Sequence, residues 1–481
     1  MKKILFAASE CVPFVKTGGL ADVVGSLPKY FDKTAFDVRV VLPAYTCIAD
    51  RYRSQWEYVT HFYSYFNGRD RYVGILRMQY AGVTFYFIDN EDYFSGLSPY
   101  TDYLYDLEKF AFFSKAVLSI LPSVDFRPDL IHCHDWHTGL IPVWLKTEFS
   151  SDPFYRGIKS IITIHNLKFQ GVYSIPVIQK ITGLSHDLFT YDKLATYNDG
   201  NYLKGGIVYA DYVTTVSHTY AEEIKTPFYG ENLEGLFFAR RDSFFGILNG
   251  LDYDEWNPEK DPLIVTNYSA ETFRRSKKKN KTALQNQLGL PCDEKKFMVG
   301  IVSRLTSQKG FDLIAARLSE ILALDLQLVV LGTGEAGYEQ MFAAAAGNHP
   351  EKVSVTLRYS EALSHRIYAA CDAFLMPSMF EPCGLSQLMS LRYGTLPIVR
   401  ETGGLKDTVE PYNRYTGEGT GFSFSNFNAD EMLTVLQLAH DTYYGNKRAW
   451  NKLVDHAMAK DFSWNASCRE YEALYRKLLS E

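Results

Sequence analysis

The chain has 481 residues, 46% of them hydrophobic, which is enough for two or three domain cores. Lys and Arg number 50 against 56 Asp and Glu, and this net charge of −6 argues against a general binder of nucleic acid or anionic membrane. The seven cysteines are odd in number and form no CxxC pair, so they indicate neither a disulfide framework nor a structural zinc site. Met1-Lys2-Lys3 runs straight into an apolar segment and no stretch of about 18 apolar residues follows, so neither a leader nor a membrane span is expected, and a cytoplasmic home fits.

In chain order, apolar runs predict strands over Lys3–Ala8, Val38–Leu42, Val83–Ile88, Leu130–Cys133, Ser160–Ile164 and Tyr212–Val216. Thr219-Tyr220-Ala221-Glu222 has capping-box spacing and predicts a helix start. A second series follows at Phe297–Ser303, Leu326–Leu331, Val353–Tyr359, Ala373–Pro377 and Leu396–Val399, with helices predicted over Phe311–Leu324 and Glu361–Ala370. The basic run Arg274–Lys281 reads as a solvated helix face or loop. Cys468, Tyr471, Leu474, Tyr475 and Leu478 recur at helical spacing, so a C-terminal helix is expected to dock. Continuous apolar strands separated by helices mean parallel sheets covered on both faces. The fold class is therefore α/β, with two doubly wound domains meeting near Ile247–Asp252. Ligands in such sheets bind at the carboxyl ends of the strands, which places the expected site in a cleft.

The most telling motif is Lys16-Thr17-Gly18-Gly19-Leu20, between the first strand and an amphipathic run through Leu20, Val23, Val24 and Leu27. A Gly-Gly turn there lets backbone N–H groups approach an anion, with Lys16 as a point charge beside it. It matches neither the P-loop nor the dinucleotide pattern. Thr402-Gly403-Gly404-Leu405 repeats the arrangement in the second half, so each half carries a turn compatible with an anion.

Polar groups concentrate just after strands. Arg304 and Lys309 lie five apart on one loop before a helix start, so both can reach one diphosphate, Arg as a fork and Lys as a point charge. Phe380-Glu381-Pro382-Cys383-Gly384-Leu385 follows a strand and precedes a helix; Glu381 can accept hydrogen bonds from hydroxyls or simply complement the helix dipole. Cys383 has no histidine placed near it by spacing, which disfavours thiol catalysis. His132-Cys133-His134-Asp135-Trp136-His137 looks like a metal cluster, but alternate strand residues face opposite ways, and Asp135 and His137 are better read as polar groups in a cleft. Thr163-Ile164-His165-Asn166 likewise ends a strand in two side chains able to bind hydroxyls.

In this order the motifs resemble those of the bacterial glycogen synthases and plant starch synthases, glycosyltransferase family 5. The matching pieces are Lys16 to Gly25, His134 to His137, Thr163 to Asn166, Gly246 to Asp252, Ser303 to Gly310, Phe380 to Leu385, and Tyr393 to Leu405, which together span nearly the whole chain. The resemblance implies a GT-B fold, two Rossmann-like domains with parallel sheets facing a central cleft. Residues 1–250 would form the acceptor-side domain, 251–460 the nucleotide-sugar domain, and 461–481 a helix crossing back. It implies retaining transfer of glucose from ADP-glucose to the non-reducing end of an α-1,4-glucan, glycogen or maltooligosaccharide. No cofactor, metal, nucleic acid or membrane is implied. By position, Glu381, His165, Lys309, Arg304 and Asp135 would be catalytic. Lys16, Gly18, Gly19, Asp22, Asn166, Asn249, Gln308, Cys383, Gly384, Leu385, Ser386 and Tyr359 would bind substrate, Cys383 and Gly384 through their N–H groups. Two departures stand out. Met389 occupies the position, eight after Glu381, where related GT-B enzymes often carry a second carboxylate, though the synthases commonly lack it. The segment 90–105 lacks the expected glycine-rich character.

Three rivals remain. The first is another GT-B retaining transferase using UDP-glucose or another acceptor, which a donor screen would separate. A dinucleotide-dependent oxidoreductase is disfavoured by the missing GxGxxG. A non-catalytic glucan-binding protein is disfavoured by the joint presence of Lys16, Arg304, Lys309 and Glu381.

Overall fold

A computed structural model describes all of residues 1–481. The chain divides into two compact units: Met1–Val216 with Ala221–Gly250 and Trp464–Glu481, and Ser217–Tyr220 with Leu251–Ser463. Each is an α/β unit built on one main sheet.

The first unit's sheet has nine strands: β1 (Lys2–Ala7), β2 (Phe36–Pro43), β3 (Glu57–Phe66), β4 (Arg69–Tyr80), β5 (Val83–Asp89), β6 (Leu130–His134), β7 (Lys159–Ile164), β8 (Tyr212–Thr215) and β9 (Phe244–Gly246). Their spatial order is β9-β8-β7-β6-β1-β2-β5-β4-β3. From β9 to β5 all neighbours are parallel, and β1 pairs Lys2 with Phe36 on one side and Ile4 with Leu130 on the other. The central residues Ile4, Phe6, Val40, Ile131 and Ile162 are fully buried, as a sheet covered on both faces requires.

The edge differs from the expectation of wholly parallel, covered strands. Hairpin β3–β4 is antiparallel, and Tyr58, Tyr63 and Tyr65 on β3 are exposed. Apolar-run reading finds covered strands, so an alternating, half-solvated hairpin escapes it.

The second unit's sheet is entirely parallel: β10 (Phe297–Val302), β11 (Leu326–Leu331), β12 (Val353–Thr356), β13 (Ala373–Met376), β14 (Leu396–Arg400) and β15 (Phe422–Phe424), in the order β12-β11-β10-β13-β14-β15. Its core gathers Val299, Ile301, Leu328, Phe374, Leu396 and Trp450. Four local expectations are corrected here. The helix expected over Phe311–Leu324 is two, Phe311–Ala316 and Leu318–Ala323, broken at Arg317, which departs from helical geometry and pairs with Asp430. Strand β12 stops at Thr356, short of Tyr359. The helix His218–Glu223 is capped not by Thr219 but by Ser217, whose Oγ accepts from Tyr220 N–H, while the Thr219 N–H and hydroxyl donate to Asp407.

The fourth concerns the basic run. It lies on helix α1 (Phe273–Leu288), but two of its lysines point inward rather than to solvent. Lys277 Nζ donates to the carbonyls of Tyr368, Ala369 and Tyr393 and to Thr395 Oγ1, and burial pulls its pKa down to about 7. Lys281 Nζ lies 2.6 Å from Asp372 Oδ2. Carbonyls and one carboxylate satisfy charges that the sequence pattern assigns to water.

The C-terminal helix α2 (Trp464–Leu478) packs on the first unit. It buries Trp464, Cys468, Tyr471, Leu474, Tyr475 and Leu478 on one face, and Tyr475 stacks on Phe31 at 5.5 Å.

Candidate active site

In the second unit, functional groups gather where β10 and β13 end. The loop after β10 carries Arg304, Gln308 and Lys309; the turn after β13 carries Glu381, Cys383 and Gly384. These segments are 72 residues apart in sequence between Lys309 and Glu381, yet Lys309 Nζ sits 2.5 Å from Glu381 Oε2. Ser378 Oγ donates to the same carboxylate oxygen at 3.2 Å. Glu381 is 6% exposed, so its carboxylate is largely withdrawn from bulk water.

Backbone contacts fix the two loops to each other. Met379 N–H donates to Gln308 O at 2.8 Å, and Gln308 Nε2 donates to Phe380 O. Gly310 has φ +77°, and a Cβ there would stand 1.9 Å from Pro377 O, so glycine is what permits this approach. Arg304 is exposed, and its guanidinium makes no ion pair. It is therefore the cation of this loop available to an incoming anion.

The second Gly-Gly turn works differently from expectation. Gly404 N–H donates to the carbonyls of Glu381 and Pro382, so it braces the Glu381 turn instead of presenting itself to an anion. Gly403 has φ +44°, and its Cβ would fall 1.9 Å from Glu381 O. The Glu381–Gly384 turn is thus held from behind by glycine backbone, while Gln387 Nε2 donates to Cys383 O and Gly384 O. The Gly384 N–H makes no hydrogen bond within the chain. The Cys383 side chain is buried. Leu385 and Ser386 open the helix Ser386–Arg392 next to it. Tyr359 lies beyond the end of β12, on an exposed segment.

In the first unit, the ends of β1, β6 and β7 bring together the Lys16 loop, Asp135, His137, His165 and Asn166. The loop's N–H groups already hold an anion, and it belongs to the chain. Glu10 takes hydrogen bonds from the Thr17 N–H and hydroxyl and from Gly18 N–H, and Tyr100 O–H donates to it at 3.1 Å. Burial raises the Glu10 pKa against these hydrogen bonds. Lys16 Nζ lies 2.7 Å from Asp22 Oδ1. The sequence reading missed Glu10, whose partners Thr17 and Gly18 are met only when the chain folds back.

Asp135 sits at φ +57°, which for a non-glycine residue is a strained position of the kind found at functional sites. Its Oδ1 accepts from His165 N–H at 2.7 Å, and burial pushes its pKa up to about 7, partly opposed by the N–H groups of His165 and Asn166. His165 Nε2 and His134 Nδ1 are 2.9 Å apart. Burial holds His165, His137 and His132 neutral, each with a pKa lowered to about 3. His132 is structural: its nitrogens meet Tyr475 O–H and Thr163 Oγ1. Asn249 is buried with its Oδ1 unpartnered, a hydrogen-bond acceptor held ready.

The arrangement matches known proteins over the whole chain. Residues 3–239 match the family described as starch synthase catalytic domain, and residues 284–448 match glycosyl transferases group 1. The chain is 64% identical to the glycogen synthase of Lachnospira eligens over 99% of this chain and 100% of that one. It is 47% identical to the glycogen synthase of Geobacillus stearothermophilus over 100% and 98%. Among solved structures, it is similar to the catalytic domain of starch synthase IV from Arabidopsis thaliana bound to ADP and acarbose, with a TM-score of 0.91 at 33% identity over 100% of this chain and 99% of that one. Sucrose-phosphate synthase from Thermosynechococcus elongatus shares the fold, with a TM-score of 0.62 at 16% identity. A two-unit α/β architecture of GT-B type, with cations and a buried glutamate at the strand ends of its second unit, places this chain in the glycogen and starch synthase family of glycosyltransferases.

Proposed function

We propose that the chain transfers glucose from ADP-glucose to the non-reducing end of an α-1,4-glucan, with retention at the anomeric carbon. The observation that carries the chemistry is the Lys309–Glu381 pair beside the unpaired Arg304. As the nucleoside diphosphate leaves, negative charge grows on its terminal phosphate. Two cations fixed at one loop stabilise that charge where it develops. On donor binding, Lys309 turns from Glu381 towards the phosphate, and Glu381 is then left to accept from hydroxyls of the donor glucose. The Gly384 N–H, and with it the Cys383 N–H, donates to the same sugar.

The first unit carries sugar-binding groups of its own. Neutral His165 gives one nitrogen to His134 and keeps Nδ1 for a sugar hydroxyl or the anomeric region. Asp135 positions the His165 backbone, and the unpartnered Asn249 Oδ1 accepts from a hydroxyl. Lys16 and the N–H groups around Gly18 and Gly19 become available to an anionic ligand once the Glu10 contact yields. The starch synthase IV structure, bound to ADP and acarbose, supports a nucleotide and a glucan as the ligand classes. We place the chain in the cytoplasm, where unpaired cysteines such as these seven stay reduced. The test is product analysis: chain extension of maltooligosaccharide by ADP-glucose, with the new linkage read by proton NMR. An α-configured linkage at the non-reducing end is expected; a β linkage, or free glucose alone, refutes the proposal.

A further inference from the structure

A second cluster in the nucleotide-sugar unit has no part in this chemistry. Helix α3 (Glu361–Ala370) places Glu361 and His365 four residues apart, on one face, and Glu255 approaches from the turn segment that follows Leu251. One ligand atom from each of Glu255, Glu361 and His365 lies within 4.8 Å of the other two. Both glutamates are exposed, while His365 is 2% exposed.

The histidine carries the argument. Its Nδ1 lies 2.8 Å from Asp261 Oδ2, and that carboxylate also accepts from Tyr393 O–H at 2.6 Å and, on its other oxygen, from Leu263 N–H. An ionised carboxylate only accepts, so Nδ1 carries the proton and Nε2 presents a bare lone pair. Nε2 is buried and has no hydrogen-bond partner. Trp256 stacks on the imidazole at 3.9 Å and 16°, which fixes the ring plane. A carboxylate behind one nitrogen and an open lone pair on the other is the arrangement of a metal-ligating histidine held by its outer partner.

The geometry points to a site for a divalent transition-metal ion, Zn²⁺ in the first instance, bound by His365 Nε2 and the carboxylates of Glu255 and Glu361 with water completing the coordination. Metal–ligand bonds of about 2.0–2.2 Å put tetrahedral ligand atoms about 3.4 Å apart. The ligand atoms now lie within 4.8 Å of one another, and binding would draw the two exposed glutamate side chains inward. One nitrogen with two carboxylate oxygens suits Zn²⁺, Co²⁺ or Mn²⁺ better than an all-oxygen site would. The ion would tie the loop at Glu255 to α3, a structural role outside sugar transfer.

The test uses the full chain stripped with chelator and titrated with Zn²⁺ by calorimetry, with Co²⁺ absorption as a second reading of coordination. One Zn²⁺ per chain is expected, with a rise in melting temperature. Glu361→Gln and Glu255→Gln should each weaken binding roughly ten-fold or more, on the scale seen for metal-site disruption. Both residues are exposed, so the variants keep the fold, and the double variant should lose both the Zn²⁺ and the thermal shift. Absence of saturable binding to the stripped protein overturns the proposal. So does undiminished Zn²⁺ binding by E255Q/E361Q, which would place the ion elsewhere, for instance at the exposed Cys292.

Discussion

Lys309 and Glu381 form a 2.5 Å ion pair in which the lysine side chain is 19% exposed and the glutamate 7%. The pair joins two groups assigned different tasks, phosphate neutralisation and sugar binding, and it makes each responsible for the other's state. Removing the lysine strands a buried carboxylate. Removing Arg304, which has no ion-pair partner, strands nothing.

The two cations should therefore separate in their effects. Arg304→Ala is expected to lower kcat/KM by roughly 10²–10³, as for loss of one transition-state donor, with an unchanged melting temperature. Lys309→Ala should lower kcat/KM comparably and also destabilise the fold by about 3 kcal/mol, the scale for breaking a buried pair. Steady-state kinetics and denaturant unfolding of both variants check this. Equal stability losses in the two would contradict the distinction.

Cys383→Ser should keep most of its activity, because the residue is assigned a role through its N–H and its thiol is buried. A folded but inactive serine variant would put the sulfur itself in the chemistry.

Asp135 gives a pH dependence with a definite sign. Its native pKa of about 7 lies above the unfolded value of about 3.9, so the native state binds more protons across that window. Stability from this group is present below about pH 4 and is lost as pH rises towards 7, with a slope of at most about 1.4 kcal/mol per pH unit. Asp135→Asn should flatten that part of the curve. Unfolding measured at about pH 5 and about pH 7 checks it; parallel curves for the two proteins would mean that Asp135 titrates normally.

Much of this was legible from residues alone, for identifiable reasons. Strands β1, β7, β10 and β11 are buried along most of their length and read as largely apolar runs. The loop of Arg304 and the turn of Glu381 follow such strands, where α/β sheets bind ligands. What escaped was set by tertiary partners. Glu10 occupies the Thr17–Gly18 N–H groups because the chain folds back on itself, and no local pattern announces that. Lys277 and Lys281 look solvated until the carbonyls and the carboxylate that bury them are brought from about a hundred residues away. Gly403 and Gly404 resemble Gly18 and Gly19 in sequence but brace the Glu381 turn.

Glucosyl transfer should survive chelation. The diphosphate is assigned to Arg304 and Lys309, which supply the charge that a divalent ion supplies elsewhere. EDTA-treated enzyme should retain its rate, while any Zn²⁺ at Glu255, Glu361 and His365 affects only the melting temperature. Loss of transfer on chelation, restored by Mg²⁺ or Mn²⁺, would contradict this assignment.

The central claim is the donor. Radiolabelled ADP-glucose and UDP-glucose, each offered with glycogen to the wild-type protein and to Arg304→Ala, test it most directly. The account predicts incorporation into glycogen from ADP-glucose at a rate well above that from UDP-glucose, with both falling sharply in the variant. Incorporation from UDP-glucose alone would reassign the donor, and no incorporation from either would contradict the account as a whole.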